Sequence, residues 1–316
     1  MKLAIIEPLG ISEAQAEDLR KKYLPADLDM VYYNTAVADE QEKGQRLRGA
    51  DYVMLANSPL PGAVMAENPA LRFLSVAFTG VDHVDMDYCQ QEGIVVSNCA
   101  GYANEAVSEL VIGLALELYR KLAACDTAVR NGGTRLGLIG QELSGKKFGI
   151  IGAGAIGLAV AKLAQAFGCE VLAYSRRPKS VPGIKFVSMK ELLAAADILS
   201  LHVPLTARTR GLLGAAELKQ MKKTAILINT ARGPVVDEEA LADALEHGVI
   251  AGAAVDVFAM EPPLPQDMPL LKAPHTILAP HIGFATQEAM LKRAEIAFAN
   301  VAAYLSGKPQ NVMGEV

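Results

Sequence analysis

The chain has 316 residues, a net charge of −5, and 51% hydrophobic against 21% charged side chains. That size exceeds what one hydrophobic core serves and predicts two domains. The acidic balance, with no long basic run, argues against a nucleic acid or an anionic membrane as partner, since both need concentrated positive charge.

The opening Met1–Ile6 is apolar but stops at Glu7-Pro8, one strand's worth of residues and too short for a signal peptide. Apolar runs of strand length then alternate with amphipathic segments almost from end to end, the pattern of parallel sheets covered by helices. The first part reads as strand Lys2–Glu7, helix Ser12–Tyr23, strand Asp29–Tyr33 and helix Asp39–Leu47. Ser12 with Gln15, and Asp39 with Glu42, have the spacing of reciprocal helix caps. Strands follow at Tyr52–Ala56, Phe73–Val76 and Ile94–Ser97. From Asn104 to about Ala128 there is no Pro, and apolar residues recur at helical spacing, which predicts one long helix. The longest apolar stretch, Leu110 to Leu116, lies in it and is far too short to span a bilayer.

After Asn131-Gly132-Gly133 a second α/β unit begins. Its strands read Lys147–Ile151, Glu170–Tyr174, Ile198–Leu201, Ala225–Asn229, Gly252–Val257 and Thr276–Leu278. A last helix runs from near Thr286 to just before Gly307, a good C-terminal cap. Cys89, Cys99, Cys125 and Cys169 are scattered without Cys-x-x-Cys spacing. They read as reduced structural thiols of a cytoplasmic protein, and no metal is expected.

Residues 148–157, Phe-Gly-Ile-Ile-Gly-Ala-Gly-Ala-Ile-Gly, form a buried strand entering Gly-x-Gly-x-x-Gly and then a helix. Gly152 permits the tight turn, Gly154 lets backbone approach a pyrophosphate, and Gly157 lets helix and strand pack closely. The N–H groups and dipole at the helix start, from Ala155 and Ile156, then hold phosphates. Three later strands each deliver a polar residue just past their carboxyl ends: Arg232, Glu261 and His281. Ligands of open parallel sheets bind there. A planar guanidinium grips a carboxylate and polarises the neighbouring carbonyl. Imidazole is the natural proton donor near neutral pH, and an adjacent carboxylate favours the charged form.

The second strand of this unit ends in Ser175-Arg176-Arg177, and no Asp or Glu follows until Glu191. NAD enzymes place an acid there for the ribose 2′-OH. Its absence removes the repulsion of a 2′-phosphate, which Ser175, Arg176 and Arg177, with Lys179 as a weaker contact, suit. NADP is therefore the expected cofactor, with NAD as the alternative.

These segments, with residues 78–85, 101–110 and 202–206, resemble the D-isomer-specific 2-hydroxyacid dehydrogenases over nearly the whole chain and in the same order. The resemblance implies an oxidoreductase moving a hydride between NAD(P)H and a small 2-keto acid, in the manner of the glyoxylate and hydroxypyruvate reductases. It implies two doubly wound parallel-sheet domains. One is a Rossmann dinucleotide-binding domain at 100–284. The other is a smaller flavodoxin-like substrate (lid) domain, made of 1–99 plus 285–316, flanking a cleft. Arg232 would bind substrate, His281 would be the acid/base and Glu261 its partner. Backbone amides at Thr79 and Gly80 would hold the carboxylate. Asp256 would accept from the nicotinamide amide. His202, Val203, Pro204, Thr230, Ala231 and Gly283 would line the cofactor.

A homodimer centred on the Asn104–Ala128 helix is expected, since that helix is longer than one small domain covers. His83, with Asp82 and Asp85, tempts as a metal site, but the family places that segment beside the substrate loop without a metal. Tyr102 reads as structural. Phe78 and Phe284 stand near the site and leave two readings: walls of a pocket suited to glyoxylate or hydroxypyruvate, or rings turned into the core. No regulatory domain is expected after residue 316, unlike the long phosphoglycerate dehydrogenases. A formate-oxidising relative would carry Gln where Glu261 stands. The alternative from another class is a dinucleotide-sensing regulator of the co-repressor type.

Overall fold

The computed structural model describes residues 1–178, 180–260 and 262–314. The chain divides into two compact units, Met1–Ala103 with Ala285–Val316, and Asn104–Phe284. The first boundary falls between Ala103 and Asn104, at a helix start, rather than at residue 99.

Unit 1 runs β1 (Lys2–Ile5), α1 (Glu13–Tyr23), β2 (Asp29–Tyr32), α2 (Glu40–Leu47), β3 (Tyr52–Leu55), α3 (Gly62–Ala66), β4 (Phe73–Val76), α4 (Met86–Gln91) and β5 (Val95–Asn98). Its five strands are parallel in the order β2-β1-β3-β4-β5, the flavodoxin-like order. β3 and β4 are buried at every position, as inner strands covered on both faces must be. The Ser12–Gln15 cap forms in both directions. The Asp39–Glu42 cap is one-sided. Asp39 accepts the Glu42 N–H at 2.8 Å, but the Glu42 carboxylate turns to the Ala38 N–H, also at 2.8 Å. β1 ends at Ile5, one residue before its apolar run does, and beyond it the buried Glu7 carboxylate accepts the Ala56 N–H at 2.6 Å.

Unit 2 runs α5 (Asn104–Arg120), α6 (Leu122–Arg130), β6 (Lys147–Ile151), α7 (Ala155–Ala166), β7 (Glu170–Tyr174), β8 (Ile184–Phe186), α8 (Met189–Ala195), β9 (Ile198–Leu201), α9 (Ala215–Leu218), β10 (Ile226–Asn229), α10 (Glu238–Glu246), β11 (Gly252–Val255) and β12 (Thr276–Leu278). Seven parallel strands lie in the order β12-β11-β10-β9-β6-β7-β8, with the topological switch between β6 and β9. β9, β10 and β11 are buried throughout.

The single helix expected from Asn104 to Ala128 is two helices. Lys121 sits at φ 55°, in the left-handed region, and turns the chain. Beyond it the Glu117 carboxylate accepts the Ala123 N–H at 2.9 Å, while the Tyr119 carbonyl accepts Gln141 N–H at 2.8 Å. α5 buries Val111, Ile112, Leu114 and Ala115, whereas α6 buries none of its residues.

The chain then returns to unit 1 as α11 (Gln287–Leu305), capped by Thr286 and followed by Gly307 at φ 72°. Phe298 and Val301 are fully buried. The Arg293 guanidinium donates to the Leu9 carbonyl at 2.6 Å, Ser75 Oγ to the Ala297 carbonyl at 3.0 Å, and Asn300 Nδ2 to the Asn98 carbonyl at 2.9 Å. The final segment bridges Ser97 to Val312 in antiparallel sense. No described helix is long and apolar enough to cross a membrane.

Candidate active site

Because all seven strands of unit 2 are parallel, the residues following them gather at one edge of the sheet. The glycine loop leaves β6 there. Gly152 lies at φ 100°, and a Cβ on it would overlap the His202 carbonyl; a Cβ on Gly157 would overlap the Gly152 carbonyl. Both positions are closed to any side chain. Gly154 is different: it caps α7, whose first residues are Ala155 and Ile156, and the space around it is open. An open, side-chain-free helix N-terminus is what a pyrophosphate needs.

His202 follows β9 across the switch point, its N–H on the Ile151 carbonyl at 2.8 Å. Loss of hydration pushes its imidazole down to about 3 and keeps it neutral, with Nε2 2.9 Å from Ser200 Oγ. Val203 is half-buried and Pro204 exposed beside it. On the other flank Thr230 and Ala231 follow β10. The Thr230 Oγ1 is buried and has no hydrogen-bond partner among the described residues. A buried hydroxyl of this kind is normally satisfied by a ligand or water. The glycine cradle and this hydroxyl fit a dinucleotide. Ser175, half-buried, and Arg176 and Arg177, exposed, end β7. Lys179 lies outside the described residues.

Neighbouring strands lie about 4.8 Å apart, so the ends of β10, β11 and β12 fall within roughly 10 Å. Hydrogen bonds carry the ladder past the strands: the Asp256 N–H donates to the Asn229 carbonyl at 2.9 Å, and the His281 N–H to the Asp256 carbonyl at 2.8 Å. Asn229, Asp256 and His281 are thereby brought side by side, and Arg232 lies three residues past Asn229, its guanidinium donating to the Ala231 carbonyl at 2.8 Å. Asn229, almost fully buried, braces the turn to Arg232: its Oδ1 accepts the Ala231 N–H and its Nδ2 donates to the Arg232 carbonyl, both at 3.1 Å. A side chain on Gly233 would overlap the Phe258 carbonyl. His281 adopts φ 56°, rare for a residue with a side chain. The half-buried Phe284 stands edge-on to the His281 ring at 5.2 Å. Gly283 is buried, its N–H on the Asp256 carboxylate. Glu261, expected from the sequence to partner His281, lies outside the described residues.

Thr79 and Gly80 follow β4 in unit 1, Thr79 exposed with its carbonyl accepting from Asn98 Nδ2 at 2.7 Å. Phe78 is turned into the core of that unit, packed against Tyr102 and His83. Burial supports the core reading for Phe78, while the half-buried Phe284 keeps the wall reading. Among the described residues, no group of three or more His, Cys, Asp or Glu is gathered for a metal ion. All four cysteines are free thiols; burial pushes Cys89 and Cys99 up to about 12, which makes them poor nucleophiles.

One residue of this edge escapes a reading of motifs. Glu238 looks like one more acid at a helix start, yet its carboxylate accepts the Ala259 N–H at 2.7 Å and fixes the segment leading to Glu261. Burial pushes Glu238 upward from the usual carboxylate range. Only the separation of 21 residues between donor and acceptor hides the link from the sequence.

The family model described as "D-isomer specific 2-hydroxyacid dehydrogenase, NAD binding domain" matches residues 112–283. The chain is 40% identical to a glyoxylate reductase of Thermofilum pendens, over 85% of this chain and 82% of that one. It is 39% identical to a glycerate dehydrogenase of Methylorubrum extorquens, over 86% and 88%. Among solved structures it is similar to an acyclic imino acid reductase (Bsp5) in complex with NADPH and D-Arg, with TM-score 0.90, 30% identity, and 99% and 100% of the two chains covered. With a matching sheet edge, glycine cradle and sequence over most of its length, this chain belongs to the D-isomer-specific 2-hydroxyacid dehydrogenases, oxidoreductases with a nicotinamide-dinucleotide-binding domain.

Proposed function

We propose that the protein reduces a small 2-keto acid of the glyoxylate or hydroxypyruvate type to the D-2-hydroxy acid, using NADPH in preference to NADH. The observation that supports the reading is that the segments carrying Arg232, Asp256 and His281 follow the adjacent parallel strands β10, β11 and β12, at the same end of the sheet as the glycine cradle. A bound nicotinamide supplies the hydride. Arg232 grips the substrate carboxylate and draws charge from the carbonyl oxygen, and the His281 imidazolium, steadied by Glu261, delivers the proton to that oxygen. Thr79 and Gly80 contribute backbone donors to the carboxylate, and unit 1 serves as the substrate (lid) domain. Gly152, Gly154, Ala155, Ile156 and Gly157 hold the pyrophosphate. His202, Val203, Pro204, Thr230, Ala231 and Gly283 line the remaining cofactor surface, and Asp256 faces the nicotinamide amide.

The preference for NADP rests on the exposed Arg176 and Arg177 and the lack of a carboxylate after β7. Phe284 beside the imidazole favours substrates with a short side chain. The protein acts in the cytoplasm as a homodimer, without a nucleic acid or membrane partner. Turnover of glyoxylate, hydroxypyruvate, pyruvate and phenylpyruvate with both cofactors tests the reading. The two smallest polar acids and NADPH are expected to lead, the latter by about tenfold in kcat/KM, or about 1.4 kcal/mol. Arg176→Ala or Arg177→Ala should erode that margin. No turnover of any keto acid would refute the activity, and an NADH preference would refute the cofactor assignment alone.

A further inference from the structure

The His281 backbone is held in the left-handed region at φ 56°. For a residue with a Cβ this conformation costs about 1–2 kcal/mol, so something must over-determine it. The hydrogen bonds identify the clamp. Asp256 is almost fully buried at the end of β11. Its backbone carbonyl accepts the His281 N–H at 2.8 Å, its Oδ1 the Ile282 N–H at 2.8 Å, and its Oδ2 the Gly283 N–H at 2.8 Å. Three successive amides thus converge on one residue. They can do so only if the chain turns at His281, because extended backbone points consecutive N–H groups to opposite sides. Gly283 completes the fit: a Cβ there would stand 2.9 Å from Asp256 Oδ2 and force the carboxylate away.

We infer that Asp256 is the positioning residue of the acid/base, its carboxylate locking the His281–Gly283 turn so that the imidazole is aimed at the substrate. The inference rests on the proposed activity and adds a task separate from contact with the nicotinamide amide. A carboxylate is required because both oxygens act as acceptors. An amide in its place presents one acceptor and one donor, and the donor would face an N–H. The turn then loses one of its two side-chain bonds and the ring its aim. A displacement of about 1 Å at a catalytic group costs on the order of a hundredfold in rate.

Asp256→Asn should therefore lower kcat by about a hundredfold while the dinucleotide Kd, measured by fluorescence titration without turnover, changes less than about threefold. The loss should persist with the 3-acetylpyridine analogue of the cofactor, which lacks the carboxamide N–H that Asp256 would otherwise bind. Gly283→Ala, which leaves the carboxylate in place chemically but pushes it aside, should reproduce the drop in kcat. Crystal structures of both variants should show His281 departing from φ 56°. A loss seen only with the natural cofactor would overturn the inference and place Asp256 on the nicotinamide amide alone. So would an unmoved His281 in a variant that still folds. Failure of the proposed activity looks different: the wild type would turn over no keto acid, while the His281 shift in the variant structures would still appear.

Discussion

Single residues at the carboxyl edge of the unit 2 sheet make the sharpest predictions. His281→Ala removes the proton donor and should lower kcat for keto-acid reduction by at least about a hundredfold, the usual scale for a general acid, with dinucleotide affinity little changed. A variant keeping near-normal kcat would show that another group delivers the proton. His202 makes a different prediction because it is held neutral by burial. Its pKa lies near 3 folded against 6.5 unfolded, so between those values the unfolded chain binds the extra proton. Stability should fall as the pH drops from about 6.5 towards 3, by at most about 1.4 kcal/mol per unit from this group. His202→Gln, which can still bond Ser200, should flatten that slope in melting temperatures measured across the range. Equal slopes would mean that His202 is hydrated in the native state. At this scale the sequence is informative wherever a residue acts through its own chemistry, as for Arg232 and His281. It is silent on side chains that act on distant backbone, as Glu238 does on Ala259, and for Asp256 it names a cofactor contact but not the hold on Ile282 and Gly283.

Among the elements, those with one dominant local cause were legible. β4, β6, β7, β9 and β12 have the bounds read from the sequence, and α11 begins after the Thr286 cap and stops before Gly307. The helices α3, α4, α8, α9 and α10 were not placed one by one, and β8 and the break between α5 and α6 were missed. β8 is a three-residue edge strand with no buried position, paired only to β7, so it carries too little apolar pattern to register. The break at Lys121 has neither Gly nor Pro to announce it; a lysine takes the left-handed corner instead. Lys121→Gly should therefore stabilise the protein. Relief of about 1–2 kcal/mol of backbone strain exceeds the roughly 0.4–1 kcal/mol of added unfolded-chain entropy, leaving about 0.5–1 kcal/mol. A denaturation midpoint that falls instead would show that the Lys121 side chain has a role at the corner. Beyond that corner Leu122 and Val129 on α6, and Leu136 and Ile139 after it, are exposed at 53%, 73%, 91% and 85%. Apolar exposure of this density on one arm supports the proposed homodimer. Sedimentation at micromolar concentration should give twice 33.5 kDa, and Leu136→Asp with Ile139→Asp should shift the population towards 33.5 kDa. A wild type that sediments only as the monomer would remove the dimer.

For the molecule as a whole, the division into two units follows from length and from the double run of strand–helix alternation, but the route of the chain does not. Unit 1 is discontinuous: its fully buried Phe298 and the bonds from Arg293, Ser75 and Asn300 to Leu9, Ala297 and Asn98 join the first hundred residues to the last thirty. This has a consequence for synthesis. Chains emerge from the ribosome N-terminus first, at about 5–20 residues per second, and domains fold as units. Unit 2 has all its residues once Phe284 is out, whereas β1 to β5 lack the helix that covers Phe73 and Ser75 until Gln287–Leu305 has followed. The earliest-made strands are thus the last to close, and must be kept from pairing wrongly while a later-made unit folds. A chain ending at Phe284 should show it: limited proteolysis should cut freely within residues 1–103 and spare 104–284, whereas the full chain resists in both. Equal resistance of residues 1–103 in the shortened chain would mean that the five strands hold together without α11. If they do not, the emergence of α11 sets the moment at which unit 1 closes and the two-unit enzyme comes into being.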